Sequence, residues 1–248
     1  MPQFSDDLFL GAAQTYMGNN VNNPLGDPAP MELGVGPVGR IYVWDTVPAA
    51  TVANNLVASV TPAAAGSLTV RAGTSVTAVV LANGTTVYQF DVPRAVSVTQ
   101  VTAGVGRNFT VSGYDYYGQA MTEVIASTAG STVNGKKAFY QVSGITVSGG
   151  TTTAVTVGSS DVIGSPVRFS NKGYLARVGW DNVLAEDAAT VVVADATTAT
   201  SSTGDVRGTV TPSGACDGVK RLVVAILLTA IQAGPNATRA GALGVTQA

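Results

Sequence analysis

The 248-residue chain contains 38 valines and 30 threonines, and no other feature narrows its possible folds as much. β-Branched side chains lose rotamer freedom in a helix and pack well on a pleated, half-buried surface. Glu, Lys, Gln, Arg and Leu are sparse, and no segment sustains a 3.6-residue apolar period over three turns. The expected class is all-β, without a long structural helix. With 46% of its residues hydrophobic the chain has ample material for a core, and its length allows one large domain or two modest ones.

Composition then removes several kinds of chemistry. The chain has no histidine, so it can build no His-based triad, no imidazole general base and no His-ligated metal site. Basic and acidic side chains number 13 and 15, for a net charge of −2 without a basic run. Such a balance offers no footprint for a phosphate backbone, and nucleic acid is not an expected partner. Cys216 is the single cysteine; it can form no internal disulfide and has no His to activate it. The start, Met1 to Asp7, has no positive region and places two acids before Leu8-Phe9-Leu10, unlike a secretory signal. The most apolar run, Leu222 to Ile231, spans 10 residues; a bilayer-crossing helix needs roughly 20. That run is expected to be a buried strand, and a membrane is not an expected partner. The Asn-x-Thr triplets at Asn83, Asn108 and Asn236 carry no weight without a secretory route.

Residues 1–40 differ from the rest. Between Met17 and Arg40 the density of Gly, Asn and Pro rules out regular structure, and the segment reads as an extended N-terminal arm. The Gly/Ala-rich residues 234–248 read as a C-terminal tail. Free termini of such composition are mobile unless held. The expected holder is a neighbouring subunit, with Met31, Leu33, Val35, Pro37 and Val38 as the contact residues of the arm.

Residues 41–233 repeat strand signals at short spacing: Ile41–Trp44, Ser67–Arg71, Val76–Leu81, Thr85–Phe90, Ala95–Val101, Asn108–Gly113, Met121–Ser127, Lys137–Val142, Ile145–Ser148, Ala154–Gly158, Pro166–Ser170, Leu175–Trp180, Thr190–Ala194, Gly208–Thr211 and Leu222–Leu228. The clearest hairpin is centred on Asn83-Gly84, expected as a two-residue type I′ turn because both residues tolerate positive φ. Alternation in Phe109–Ser112 and Thr122–Ile125 predicts one wet and one buried face. Leu222–Leu228, apolar on consecutive positions, is expected to be a central strand covered on both sides. These patterns predict a β-sandwich, immunoglobulin-like or jelly-roll. One arrangement nests a sandwich of residues 66–164 inside a second sheet made from 41–47 and 166–233.

Few residues stand out chemically. In Val111–Glu123, a strand ends at Gly113, Asp115 can bond the backbone two residues on, and Gly118 precedes the next strand, which makes a tight hairpin. Tyr114, Tyr116 and Tyr117 cluster there, and tyrosine presents a rigid amphipathic surface suited to stacking on a sugar or anchoring a protein. The acidic residues are scattered near turns, and no loop has the oxygen density of a calcium site. Solvated turn carboxylates are the default expectation. No catalytic residue, metal or cofactor is expected, and the chain does not read as an enzyme.

The run Phe109-Thr-Val-Ser-Gly-Tyr-Asp-Tyr-Tyr-Gly-Gln-Ala-Met-Thr-Glu123, followed by Asn134-Gly-Lys-Lys-Ala-Phe139, Val142 and Val155-Thr-Val-Gly158, resembles a strand-and-turn pattern in structural proteins of tailed bacteriophages. The closing Gly234–Ala248 is similar to the tails of such proteins. The resemblance covers mainly residues 108–158 and the last fifteen, and it brings no site residues. It implies a virion component, made in the host bacterial cytoplasm. The lack of a spine helix disfavours the major shell protein, and the lack of repeats or heptads disfavours a long fibre. The leading expectation is a capsid decoration or cement protein, a dimer or trimer contacting the major capsid protein and its own copies. A tail or neck subunit and a carbohydrate-binding adhesion module are the alternatives.

Overall fold

A computed structural model describes residues 9–10, 39–181, 183, 185–195 and 205–228. The contact residues expected in the arm, Met31, Leu33, Val35, Pro37 and Val38, lie outside the described residues, as does the tail 234–248. The described chain is all-β, and its strands form two antiparallel sheets.

The smaller sheet has the order β1 (Phe9–Leu10), β2 (Gly39–Thr46), β15 (Leu222–Leu228), β12 (Leu175–Trp180). It joins the start and end of the folded body. The run Leu222–Leu228 is central, between β2 and β12, but only one of its faces is closed. Leu222, Val224 and Ile226 are buried, whereas Val223, Ala225 and Leu227 are half-buried. The apolar outer residues Ile41 and Val43 pair with Leu227 and Ala225, so the exposed side of this sheet is also largely apolar.

The larger sheet contains β3 (Val57–Val60), β4 (Gly66–Leu68), β5 (Val76–Val80), β6 (Thr86–Gln100), β7 (Asn108–Tyr114), β8 (Ala120–Ala126), β9 (Thr132–Asn134), β10 (Phe139–Val147), β11 (Val155–Gly164), β13 (Thr190–Val192) and β14 (Thr209–Thr211). Strands β13 and β14 thus belong here and not to the second sheet. β7 and β8 alternate buried and open positions along their whole length as expected, but in β8 the charged Glu123 lies on the dry face and Val124 on the wet one.

The two expected strands Thr85–Phe90 and Ala95–Val101 are one strand, β6, which runs through Pro93. Its first half pairs with β5 and β10, its second with β11 and β9, and the β10 register jumps between Gln89 and Arg94. Pro93 sits at this change of partner, where a missing N–H breaks no regular ladder. Likewise β10 joins Lys137–Val142 to Ile145–Ser148 across an irregularity between Val142 and Gly144. The expected strand Pro166–Ser170 is irregular. Its polar groups bond locally, Ser165 Oγ to Val167 O at 2.6 Å, and Phe169 N donates to Arg207 O at 3.1 Å.

Two cores result. One lies within the large sheet, around Phe90, Val98, Phe109, Val111, Phe139 and Ile145. The other joins the sheets face to face: Val92, Ile163 and Val210 from the larger meet Val178, Leu222, Val224 and Ile226 from the smaller, with Phe169 between strands. This second core is what makes the architecture a sandwich. Each fully buried side chain of this size contributes about 1.5–3 kcal/mol.

The Asn83-Gly84 hairpin differs from the expected two-residue turn. Leu81 N donates to Thr85 O at 2.9 Å and Gly84 N to Leu81 O at 2.8 Å, which closes a three-residue loop, Ala82-Asn83-Gly84. Only Gly84 has positive φ (82°), and Asn83 instead accepts from Thr85 N at 3.0 Å. A three-residue loop ending in a left-handed glycine is the alternative hairpin closure.

Candidate functional site

The hairpin between β7 and β8 is built around Asp115. Its Oδ1 accepts from Tyr117 N and Gln119 N, each at 2.8 Å. Asp115 N donates to Gln119 O and Gly118 N to Asp115 O, with Gly118 left-handed at φ 78°. The other oxygen, Oδ2, is hydrogen-bonded and ion-paired to Arg207. Both side chains are buried, at 0% and 2% exposure, so the turn is also the site of an internal charge pair. The Arg207 guanidinium lies 4.9 Å from the centre of the Tyr117 ring. Tyr117 in turn donates its hydroxyl to Pro166 O at 2.7 Å. Burial pushes this phenol above its ordinary value, and Arg207 works against that rise.

The three loop tyrosines therefore divide. Tyr117 is half-buried, with its hydroxyl tied to Pro166 and its ring against Arg207. Tyr116 is 46% exposed and touches both Tyr117, at 5.1 Å between centroids, and Tyr140 of β10, at 5.2 Å. Tyr114, the last residue of β7, is half-buried. Gly113, expected as a turn glycine, lies inside β7. Its reason is close approach: a Cβ there would sit 2.0 Å from Gln141 O. Asn83 and Gly84 belong to a different hairpin and take no part in this cluster.

A second polar network lies next to the first. Glu123, in β8, accepts from Lys136 N and from Lys137 N, the latter at 3.2 Å. Lys137 Nζ donates to Thr122 O at 3.1 Å, and Asp205 accepts from Ala138 N at 3.1 Å and Arg207 N at 2.9 Å. Burial pushes the Glu123 carboxyl above its usual range, against the two backbone N–H bonds, and pulls the Lys137 ammonium below its own. Residues 136–138 thus turn their N–H groups onto carboxylates from two other elements, a concavity of backbone donors of the kind that favours anions. Here the anions are the protein's own.

This pattern extends across the molecule. Asp91 accepts from Ala49 N, Asp181 from Arg221 N, Glu186 from Val178 N, Asp187 from Ser213 N, and Asp217 from Val219 N and Lys220 N. These carboxylates are backbone fasteners between chain segments or within turns, not the freely solvated groups expected. Among the described residues no group of three or more His, Cys, Asp or Glu could hold a metal ion. Cys216 is buried next to Asp161, and burial, with the hydrogen bond to Asp161 second, pushes its thiol up to about 12. It is held as the protonated, unreactive form.

A groove of about 540 Å³ runs beside β6 and β11, lined largely by hydroxyls. Its hydroxyls bond among themselves and to the backbone. Thr99 and Thr132 lie 2.8 Å apart, Ser160 donates to Ala95 O, and Ser159 accepts from Val52 N and Asn55 Nδ2.

Arg207 and Tyr140, which complete the site, have no signal in the sequence beyond their type. Arg207 needs its Asp115 partner because it is buried, which its sequence neighbours do not show. Comparison of the chain with protein-family models, with curated proteins and with solved structures finds no match to any of them.

Proposed function

We propose that the protein is a structural subunit of a tailed-bacteriophage particle that works by binding into an assembly, and that its place is on the head as a decoration or cement protein. The observation that supports this reading most is where the chain leaves the sandwich. Phe9 pairs with Arg40, Leu10 with Gly39, and Arg40 also pairs with Leu228. The described strand ends Leu10, Gly39 and Leu228 therefore lie together at one corner of the small sheet, next to its half-exposed face of Ile41, Val43, Ala225 and Leu227. A sandwich with a half-exposed apolar face at this corner suits a subunit that packs against neighbouring molecules. The resemblance at 108–158 supports the same reading.

The mechanism is mass action. Interface free energy is present only in the assembled shell, so binding raises the stability of that state by RT ln(1 + [L]/Kd). The partners are the major shell protein and further copies of this chain, and the protein is made in the bacterial cytoplasm. A tail or neck subunit is the competing reading within the same class.

Deleting residues 1–38 tests the role of the arm. The cut stops before Gly39, where β2 begins, and among the described residues removes only the two-residue β1 from the sheet. The truncated protein is expected to unfold cooperatively like the full chain and to lose binding to undecorated heads. Normal decoration by the truncated protein would contradict the proposal.

A further inference from the structure

We propose that the outer face of the large sheet, beside the Asp115 hairpin, is a saccharide-binding platform formed by Tyr116, Tyr140, Tyr114, Gln141 and Gln89. The strand registers place these groups together. Thr77 pairs with Gln89, Gln89 with Gln141, and Gln141 with Tyr114, which sets one row across β5, β6, β10 and β7. Directly paired residues share a face, and the adjacent row, Tyr88, Val142 and Gly113, points to the core, where Val142 is fully buried. The row of Gln89, Gln141 and Tyr114 is therefore on the outward face. At roughly 4.8 Å per strand spacing these three residues span about 10 Å, the length of about two pyranose rings.

The polar groups form a directed chain. Gln141 Nε2 donates to Gln89 Oε1 at 2.9 Å, and Gln89 Nε2 donates to the Tyr140 hydroxyl at 3.1 Å. That arrangement fixes both amides and leaves Gln141 Oε1 as an acceptor and the Tyr140 O–H as a donor, neither with a partner among the described residues. A rigid donor and acceptor on one surface suit vicinal hydroxyls, each of which both gives and takes a hydrogen bond. Beside them Tyr116 leaves 46% of its surface open, and its hydroxyl has no partner among the described residues. The negative face of an aromatic ring attracts the polarised C–H groups of a sugar ring. No side chain of the row or of the flanking tyrosines carries a charge at neutral pH, so the surface fits a neutral polyhydroxyl ligand better than an anion or a nucleotide.

The assignment differs from the one the loop sequence suggests. Tyr117 is excluded because its hydroxyl is committed to Pro166 O and its ring to Arg207. Two amides and a tyrosine from other strands, none adjacent to the loop in sequence, take its place. The proposal does not rest on assembly into a particle.

The test uses the full-length protein. Saturation-transfer NMR with maltotriose, cellotriose and N,N′,N″-triacetylchitotriose, together with a printed array of bacterial surface polysaccharides, measures binding. At least one probe is expected to bind. Tyr116→Ala and Gln141→Ala are each expected to weaken that binding about tenfold or more, with the melting temperature unchanged, while Val219→Ala at a remote exposed site leaves it intact. Absence of binding across the whole panel, or binding that survives both substitutions, overturns the proposal.

Discussion

Arg207→Ala is expected to lower the unfolding free energy by about 3–5 kcal/mol, among the largest losses available to any polar substitution in this chain. The substitution leaves the Asp115 carboxylate, 0% exposed, without its counter-charge. It also removes the cation above Tyr117. Two backbone N–H groups still reach Asp115 Oδ1, which places the expected loss toward the lower end of that range. The exposed pair Arg221–Asp45, at 3.2 Å with both side chains more than a third open, sets the contrast, since such pairs are worth about 1 kcal/mol or less. Urea denaturation of both alanine variants makes the comparison, and a double-mutant cycle with Asp115→Asn isolates the pair. A loss at Arg207 no larger than at Arg221 would show that the Asp115 hairpin is held by its backbone bonds alone.

Gly113→Ala is expected to cost about 3 kcal/mol or more, because it asks two strands to separate. The added methyl would lie 2.0 Å from Gln141 O and 3.0 Å from the Phe139 ring, both rigid parts of β10. No rotamer change relieves a contact with a backbone carbonyl. Gly144, on the same pair of strands, has nothing within 4 Å of its Cβ position. Gly144→Ala is expected to be near neutral or slightly stabilising through the unfolded chain. Similar losses in the two variants, measured as midpoint shifts at constant m, would overturn the packing argument for Gly113.

Local chemistry was readable from the residues where it depends on a few neighbours. The alternation in Asn108–Tyr114 and Ala120–Ala126, the turn role of Asp115 and Gly118, and the central place of Leu222–Leu228 all follow from spacing and residue type. Effects that depend on distant partners were not readable. β6 continues through Pro93 because it changes neighbours there, which is a property of β10 and β11 and not of the residues around the proline. Leu222–Leu228 is open on one side although its sequence is apolar throughout, because the strands flanking it carry no covering layer among the described residues. Tyr114, Tyr116 and Tyr117 look equivalent in sequence, and only the approach of Arg207 and Pro166, both distant in sequence, ties one of them down. The same distance explains why Gln89, Tyr140 and Gln141 escape a reading along the chain: a sheet row is assembled by register, which hydrophobic alternation alone does not specify.

The most direct test of the assembly role is the number of copies of this chain per purified phage particle, measured by quantitative densitometry against the major shell protein. A head decoration protein is expected at a ratio near one to one or at a simple fraction such as one to three. A few copies per hundred shell subunits would place it in the tail or neck, and complete absence from particles would contradict the structural role altogether.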